Sequence, residues 1–222
     1  MPSSQPVSLS LRGVTALNPV GAFRPLLLDT TAGSIETRLY EAPGSTSAIL
    51  WLGDMKGGFD SPADKLYDRL AEQFQAHKVI SLRMQYRNPG DHAQIGLDAL
   101  VGAFLLQQQG VERLIVVGHG MGALGAVQAG LAFPFVTGVA VLAPHPVAAE
   151  GAEKLSPTPL LVLHGTEDQL VPTSASRALL DKVGEPKRIH YYQKAGHDLV
   201  EAKDAVSEDL TDWLKEHLAI KA

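Results

Sequence analysis

The residues best equipped for chemistry follow short apolar runs. Gly118-His119-Gly120-Met121-Gly122-Ala123-Leu124-Gly125 comes after the β-branched run Leu114 to Val117. Asp168 lies in Leu163-His164-Gly165-Thr166-Glu167-Asp168-Gln169-Leu170-Val171-Pro172, and His197 in Ala195-Gly196-His197-Asp198. An imidazole can take up or release a proton near neutral pH, and a carboxylate beside it can hold its orientation and charge. The glycine cluster has a competing use, because Gly120-x-Gly122-x-x-Gly125 has the spacing of a dinucleotide-binding turn. That chemistry also needs a carboxylate about 20 residues on, at the end of the next strand, to hold the ribose hydroxyls. The next apolar run ends Val141-Leu142-Ala143-Pro144-His145, without one.

These residues need a frame of alternating strands and helices. Val7 to Thr15 and Ile35 to Glu41 read as two strands with a Gly/Pro-containing connection, and Ala48 to Leu52 as a short buried strand. The glycine-rich loop Gly53 to Phe59 follows. Ser61 is the expected N-cap of the next helix, with Pro62 at N1 and Asp64 completing a capping box. Leu66, Leu70 and Phe74 mark the inner face of that helix. Val79 to Tyr86 reads as a strand, and Asp91 to Gln109 as a long helix with Ile95, Leu97, Leu100, Val101, Phe104 and Leu105 inward. Strand and helix repeat through the glycine turn to about Phe133. Val136 to Leu142, Leu160 to His164 and Arg188 to Gln193 are further strands. Thr173 to Val183 and Asp204 to Leu218 are helices, the last with Val206, Leu210, Trp213, Leu214 and His217 on one face. Residues Val147 to Pro159 are too few for a helical cap. This alternation predicts an α/β chain with a mostly parallel sheet covered on both faces, and ligands at the carboxyl ends of its strands.

Composition sets outer bounds. The 222 residues, 45% of them apolar, suit one domain spanning 1–222 with a substantial core. A net charge of −5 on a mixed surface gives no reason to expect nucleic acid or an anionic membrane as partner. No cysteine is present, which excludes disulfides, thiolate catalysis and Cys-ligated metal. No ligand spacing such as H-x-x-x-H appears, so neither metal nor cofactor is expected. Met1-Pro2-Ser3-Ser4-Gln5 has no signal-peptide pattern and no apolar run is long enough to span a bilayer, so a cytoplasmic location is the expectation.

The three motifs together resemble the α/β-hydrolase family, in particular its small capless esterases and dienelactone hydrolases. Gly118-x-Gly120-x-Gly122 is similar to the G-x-S-x-G nucleophile elbow, with Gly120 where the serine belongs. The Asp168 segment resembles H-G-x-x-D-x-x-V-P, which carries the family's acid, and Gly196-His197 resembles its histidine motif. The order of nucleophile, acid and histidine along the chain is the family's own. The resemblance implies small ester or acyl substrates, His197 as base, Asp168 as its orienter, and oxyanion donors from the backbone of Met121 and of Asp54 or Met55. Met55, Phe59 and Met121 would line an apolar pocket, with Phe59 and His145 as substrate contacts. His119 and His164 are expected to pack beneath the site.

Gly120 departs from that pattern. Loss of such a serine costs about 10⁶ in kcat. An elbow tip takes a positive φ, which glycine adopts without a Cβ penalty. The expectation is therefore an inactive or strongly impaired hydrolase. The alternative is a non-catalytic protein that holds a small ligand or a protein partner in the same cleft.

Overall fold

The computed structural model describes residues 9–220. A nine-stranded sheet runs through it, with strands β1 (Leu11–Ala16), β2 (Arg24–Thr30), β3 (Gly33–Tyr40), β4 (Ser47–Leu52), β5 (Ile80–Met84), β6 (Arg113–His119), β7 (Val136–Leu142), β8 (Leu160–Gly165) and β9 (Lys187–Tyr192). Their order across the sheet is β1-β2-β3-β5-β4-β6-β7-β8-β9. From β1 to β5 neighbours pair antiparallel, and from β5 through β9 they pair parallel. The helices are α1 (Pro62–Ala76), α2 (His92–Gln108), α3 (Gly122–Ala132), α4 (Thr173–Lys182) and α5 (Lys203–Leu218).

The central strands are buried on both sides because both of their alternating faces are apolar. Leu50 and Leu52 of β4, Val116 of β6, Val139 and Val141 of β7 and Val162 of β8 join the core beneath α2 and α3. Ile49, Trp51, Val117, Leu142 and Leu163, from the intervening positions, join the core beneath α1 and α5. Full burial of one such side chain stabilises by roughly 1.5–3 kcal/mol. With helices on both faces, only the loops at strand ends remain to build a site. Among the described residues no helix is long and apolar enough to cross a membrane.

The structure corrects several sequence expectations. The supposed connection between the first two strands itself contains β2, which pairs with both β1 and β3. Part of the predicted Val7–Thr15 strand lies outside the described residues, and β1 begins at Leu11. The capping box does not form. Ala63, Asp64 and Lys65 have φ of 48°, 57° and 58°, a left-handed turn before the regular helix. The Ser61 hydroxyl instead accepts from the Tyr67 N–H at 2.9 Å, capping the helix one turn later. Asp64 is exposed and pairs with Lys203 at 3.0 Å.

On α2 half of the predicted inner face holds, with Ile95, Val101 and Leu105 buried, and the rest is rotated. Ile95, Asp98, Gly102 and Leu105 are buried, whereas Leu97 and Leu100 are half-buried and Phe104 is exposed. Small residues bring this helix close to its neighbours. A Cβ at Gly102 would fall 2.6 Å from the Met84 sulfur, and one at Gly96 would collide with the Gln128 amide. The bulky Leu97, Leu100 and Phe104 are displaced outward, where they line a surface groove with Leu9, Leu11 and Phe133.

Candidate active site

Three strand ends bring the chemistry together. After β6 the chain turns sharply at Gly120, with φ +53°, and enters α3. The turn is tied to β7: Gly120 N–H donates to Leu142 O at 2.9 Å, and His145 N–H donates to Gly120 O at 3.1 Å. Its glycines permit close backbone approach, since a Cβ at Gly122 would lie 2.5 Å from the carbonyl oxygens of Leu52 and Gly53. After β8 the Asp168 loop closes on itself, Oδ1 accepting from the N–H groups of Leu170 and Val171, each at 2.8 Å. After β9 comes His197. Its Nδ1 stands 2.7 Å from Asp168 Oδ2, and both side chains are almost wholly buried.

His164 supports this pair from below. Its Nε2 lies 3.2 Å from Asp168 Oδ2 and 3.0 Å from Val171 O, while Nδ1 meets the Ser176 hydroxyl at 2.6 Å. A proton on Nε2 and an acceptor Nδ1 satisfy all three contacts. Burial holds this histidine below its ordinary pKa, consistent with a neutral ring. Burial alone would raise the Asp168 carboxyl. The Val171 N–H, the His197 hydrogen bond and the Leu170 N–H outweigh it and keep Asp168 ionised.

The fourth member was not foreseen as a side chain. Asp54, in the loop after β4, was expected to lend its backbone N–H to an oxyanion. Instead its carboxylate reaches into the elbow. Oδ1 accepts from the Met121 N–H at 2.7 Å, and Oδ2 stands 3.1 Å from His197 Nε2. Gly120 makes this possible, because a Cβ there would fall 2.1 Å from Asp54 Oδ1 and 2.3 Å from its Cγ. The place where a serine side chain would begin is filled by a carboxylate. The positive end of α3 favours the anion. Burial opposes ionisation of Asp54, but His197, the Met121 N–H, the His119 ring and the Met55 N–H together hold its carboxyl far below the ordinary range.

His197 thus sits between two carboxylates. Burial works against its protonation, yet the hydrogen bonds and charges of Asp54 and Asp168 raise its pKa to about 9. At neutral pH it is an imidazolium, not a free base. His119 packs beneath it with ring centroids 4.8 Å apart, its Nε2 3.1 Å from His197 O. Burial, then the His197 charge, lowers its pKa. Its Nδ1 is buried with no hydrogen-bond partner among the described residues.

The remaining predicted residues are dispersed. Met121 is buried in the core beneath α2 and α3, and Met55 is exposed. Phe59 lies in a groove against β2 and β3 with Leu17, Phe23 and Arg38, the guanidinium 4.2 Å from its ring centroid. That groove contains neither Asp168 nor His197. His145 caps a 3-10 turn through Nδ1, which accepts from Val147 N–H at 3.4 Å, and its ring faces His92 at 5.5 Å. Nothing in the sequence marked Asp54 as a side-chain participant. The signal was the pairing of an absent side chain at Gly120 with a carboxylate 66 residues earlier, which only the fold reveals.

Known proteins share these features unevenly. The family model for serine aminopeptidases of the S33 type matches residues 145–204, the stretch holding Asp168 and His197 but not the elbow. The monoacylglycerol lipase of Mycolicibacterium smegmatis is 36% identical over 63 residues, 27% of this chain and 22% of the lipase. The match therefore spans about a fifth of that relative's length. Among solved structures, Est1E from Butyrivibrio proteoclasticus aligns with a TM-score of 0.76 and 13% identity, over 88% of this chain and 99% of that one. The acetyl xylan esterase from Paenibacillus sp. R4 aligns at 0.75 and 14%, over 96% and 90%. Dienelactone hydrolase from Anabaena variabilis aligns at 0.74 and 17%, over 88% and 97%. At such identities the likeness establishes the fold. The chain has the α/β-hydrolase fold, and the proteins it resembles include esterases and a lipase.

Proposed function

We propose that this chain is an esterase-like hydrolase of small ester or acyl substrates in which the acyl-serine route is closed. The observation that carries this reading is the paired geometry of His197. One nitrogen is held by Asp168 at 2.7 Å, and the other is directed at the elbow, where Asp54 stands at 3.1 Å. A histidine so oriented is the proton carrier of acyl-transfer sites, and the Met121 N–H is the matching oxyanion donor. The group these parts would serve has been exchanged. Gly120 offers no nucleophile, and Asp54 occupies both the nucleophile's space and the oxyanion donor. Serine-type turnover is therefore impaired in two ways, by the missing hydroxyl and by the resident anion.

The similarity to esterases and a monoacylglycerol lipase supports ester-type substrates. The short connection after β7, built of two 3-10 turns, supports an uncapped cleft. Steady-state hydrolysis of p-nitrophenyl acetate and butyrate tests the reading. The double variant Gly120→Ser/Asp54→Gly supplies the hydroxyl and frees the donor. It is expected to exceed the parent's rate, both measured in EDTA, by at least about 10³-fold, a part of the roughly 10⁶ that a triad serine contributes. Adding His197→Gln should remove that gain. Inertness of both the folded double variant and the parent toward both esters would overturn the reading.

A further inference from the structure

We propose that Asp54, His119 and His197 form a binding site for one divalent transition-metal ion of the zinc type. All three are buried, and one ligand atom from each lies within 4.8 Å of the others. The set is two imidazoles and a carboxylate, the donor combination of hydrolytic zinc sites that keep an open position. Sequence spacing conceals it because the residues come from the loop after β4, the end of β6 and the loop after β9.

The outer contacts distinguish this cluster from an accidental one. A metal-bound histidine normally gives its second nitrogen to a carboxylate or carbonyl, and a metal-bound carboxylate is itself hydrogen-bonded. His197 presents Nδ1 to Asp168 and keeps Nε2 for the cluster. His119 presents Nε2 to His197 O and has Nδ1 without a partner. Asp54 takes the Met121 N–H on Oδ1 and keeps Oδ2. Each residue thus has one polar atom anchored outside the cluster of ligand atoms; within it, His197 Nε2 and Asp54 Oδ2 meet only each other, and His119 Nδ1 has no partner among the described residues. His197 Nε2 and Asp54 Oδ2, 3.1 Å apart, need to part by only about 0.2–0.4 Å to reach the roughly 3.3–3.5 Å separation of neighbouring ligands around tetrahedral zinc. His119 completes the set, with a ring nitrogen within 4.8 Å of the ligand atoms of both Asp54 and His197.

The ion would take the place of the proton between His197 and Asp54, and its open fourth position would carry a water. A metal-bound water is a hydrolytic nucleophile that needs no serine. Its oxygen would add to the ester carbonyl, and the alkoxide would leave with the proton the water loses, giving acid and alcohol. This role rests on the esterase-like reading; the binding site itself does not.

Titration of ZnCl2 into the EDTA-stripped, dialysed 222-residue chain at pH 8 tests the site calorimetrically. The expected result is one ion per chain with Kd on the order of 1 µM or tighter. Asp54→Asn and His119→Gln should each weaken binding by at least about tenfold, while His77→Gln, at an exposed position, should leave it unchanged. Should a ligand variant fail to fold, CoCl2 added to the parent protein gives a second readout, the intense visible bands of a four- or five-coordinate ion. Absence of one-to-one uptake, uptake that the ligand variants do not weaken, or only the faint spectrum of hydrated cobalt would each overturn the site. If zinc fails to bind while Gly120→Ser/Asp54→Gly hydrolyses esters, the metal proposal alone falls. If zinc binds as described and neither the loaded parent nor the double variant hydrolyses esters, the hydrolase reading falls and the site stands.

Discussion

At the scale of residues, Gly120 and Asp54 must be understood together. Read alone, Gly120 looks like a vacancy at the tip of an elbow, and its positive φ was foreseeable from the glycine turn. The occupant of that vacancy was not, because no periodicity links a loop carboxylate to a turn on another strand. The pairing changes the expected result of restoring serine. Gly120→Ser in the parent chain meets both a left-handed backbone and the Asp54 carboxylate 2.1 Å from the new Cβ. It should lower stability by about 1–3 kcal/mol, seen as a reduced urea midpoint. Asp54→Gly in the same chain should recover part of that loss. Equal midpoints for Gly120→Ser and its parent would mean that the carboxylate does not hold the elbow.

At the scale of elements, most strands were legible because their apolar runs are short and bounded by turn residues, but β2 was not, its Leu26-Leu27-Leu28 run being set between Pro25 and Asp29 in what reads as a connection. Helix faces were less so. On α2 the bulkiest apolar residues suggested the inner face, but close packing selects small ones, and Gly96, Asp98 and Gly102 turn inward. At α1 the Ser61-Pro62-x-Asp64 pattern is a sound capping signal overridden by the left-handed turn at Ala63 to Lys65. The two accounts of Ser61 and Asp64 separate experimentally. Ser61→Ala, which loses the bond to Tyr67 N–H, should cost about 1 kcal/mol in chemical denaturation. Asp64→Ala, which loses only an exposed ion pair, should leave the denaturation midpoint almost unchanged. The reverse order would restore the capping box.

At the scale of the whole molecule, the order of motifs along the chain revealed the architecture, and the sheet order explains why. Parallel strands β4, β6, β8 and β9 all end on the same side, so Asp54, Gly120, Asp168 and His197 converge although 143 residues separate the first from the last. Interior polar contacts that secure this frame have no sequence signature. Asp98 is wholly buried on α2 and pairs with Arg87, from the loop after β5, at 2.5 Å, also accepting from the Arg87 N–H at 2.9 Å. Asp98→Ala leaves the guanidinium unpaired and should cost about 3–5 kcal/mol, measured as a loss of unfolding free energy. A cost below 1 kcal/mol would show that the pair does not secure α2 to the sheet.

The central claim is that the Asp54 carboxylate stands where a catalytic serine would, at an otherwise intact elbow. Fluorophosphonate labelling followed by intact mass tests it most directly. The parent protein and Gly120→Ser should remain unlabelled, and Gly120→Ser/Asp54→Gly should gain one phosphonyl group, on position 120. Labelling of Gly120→Ser as fast as the double variant, or no labelling of a folded double variant, would contradict the account.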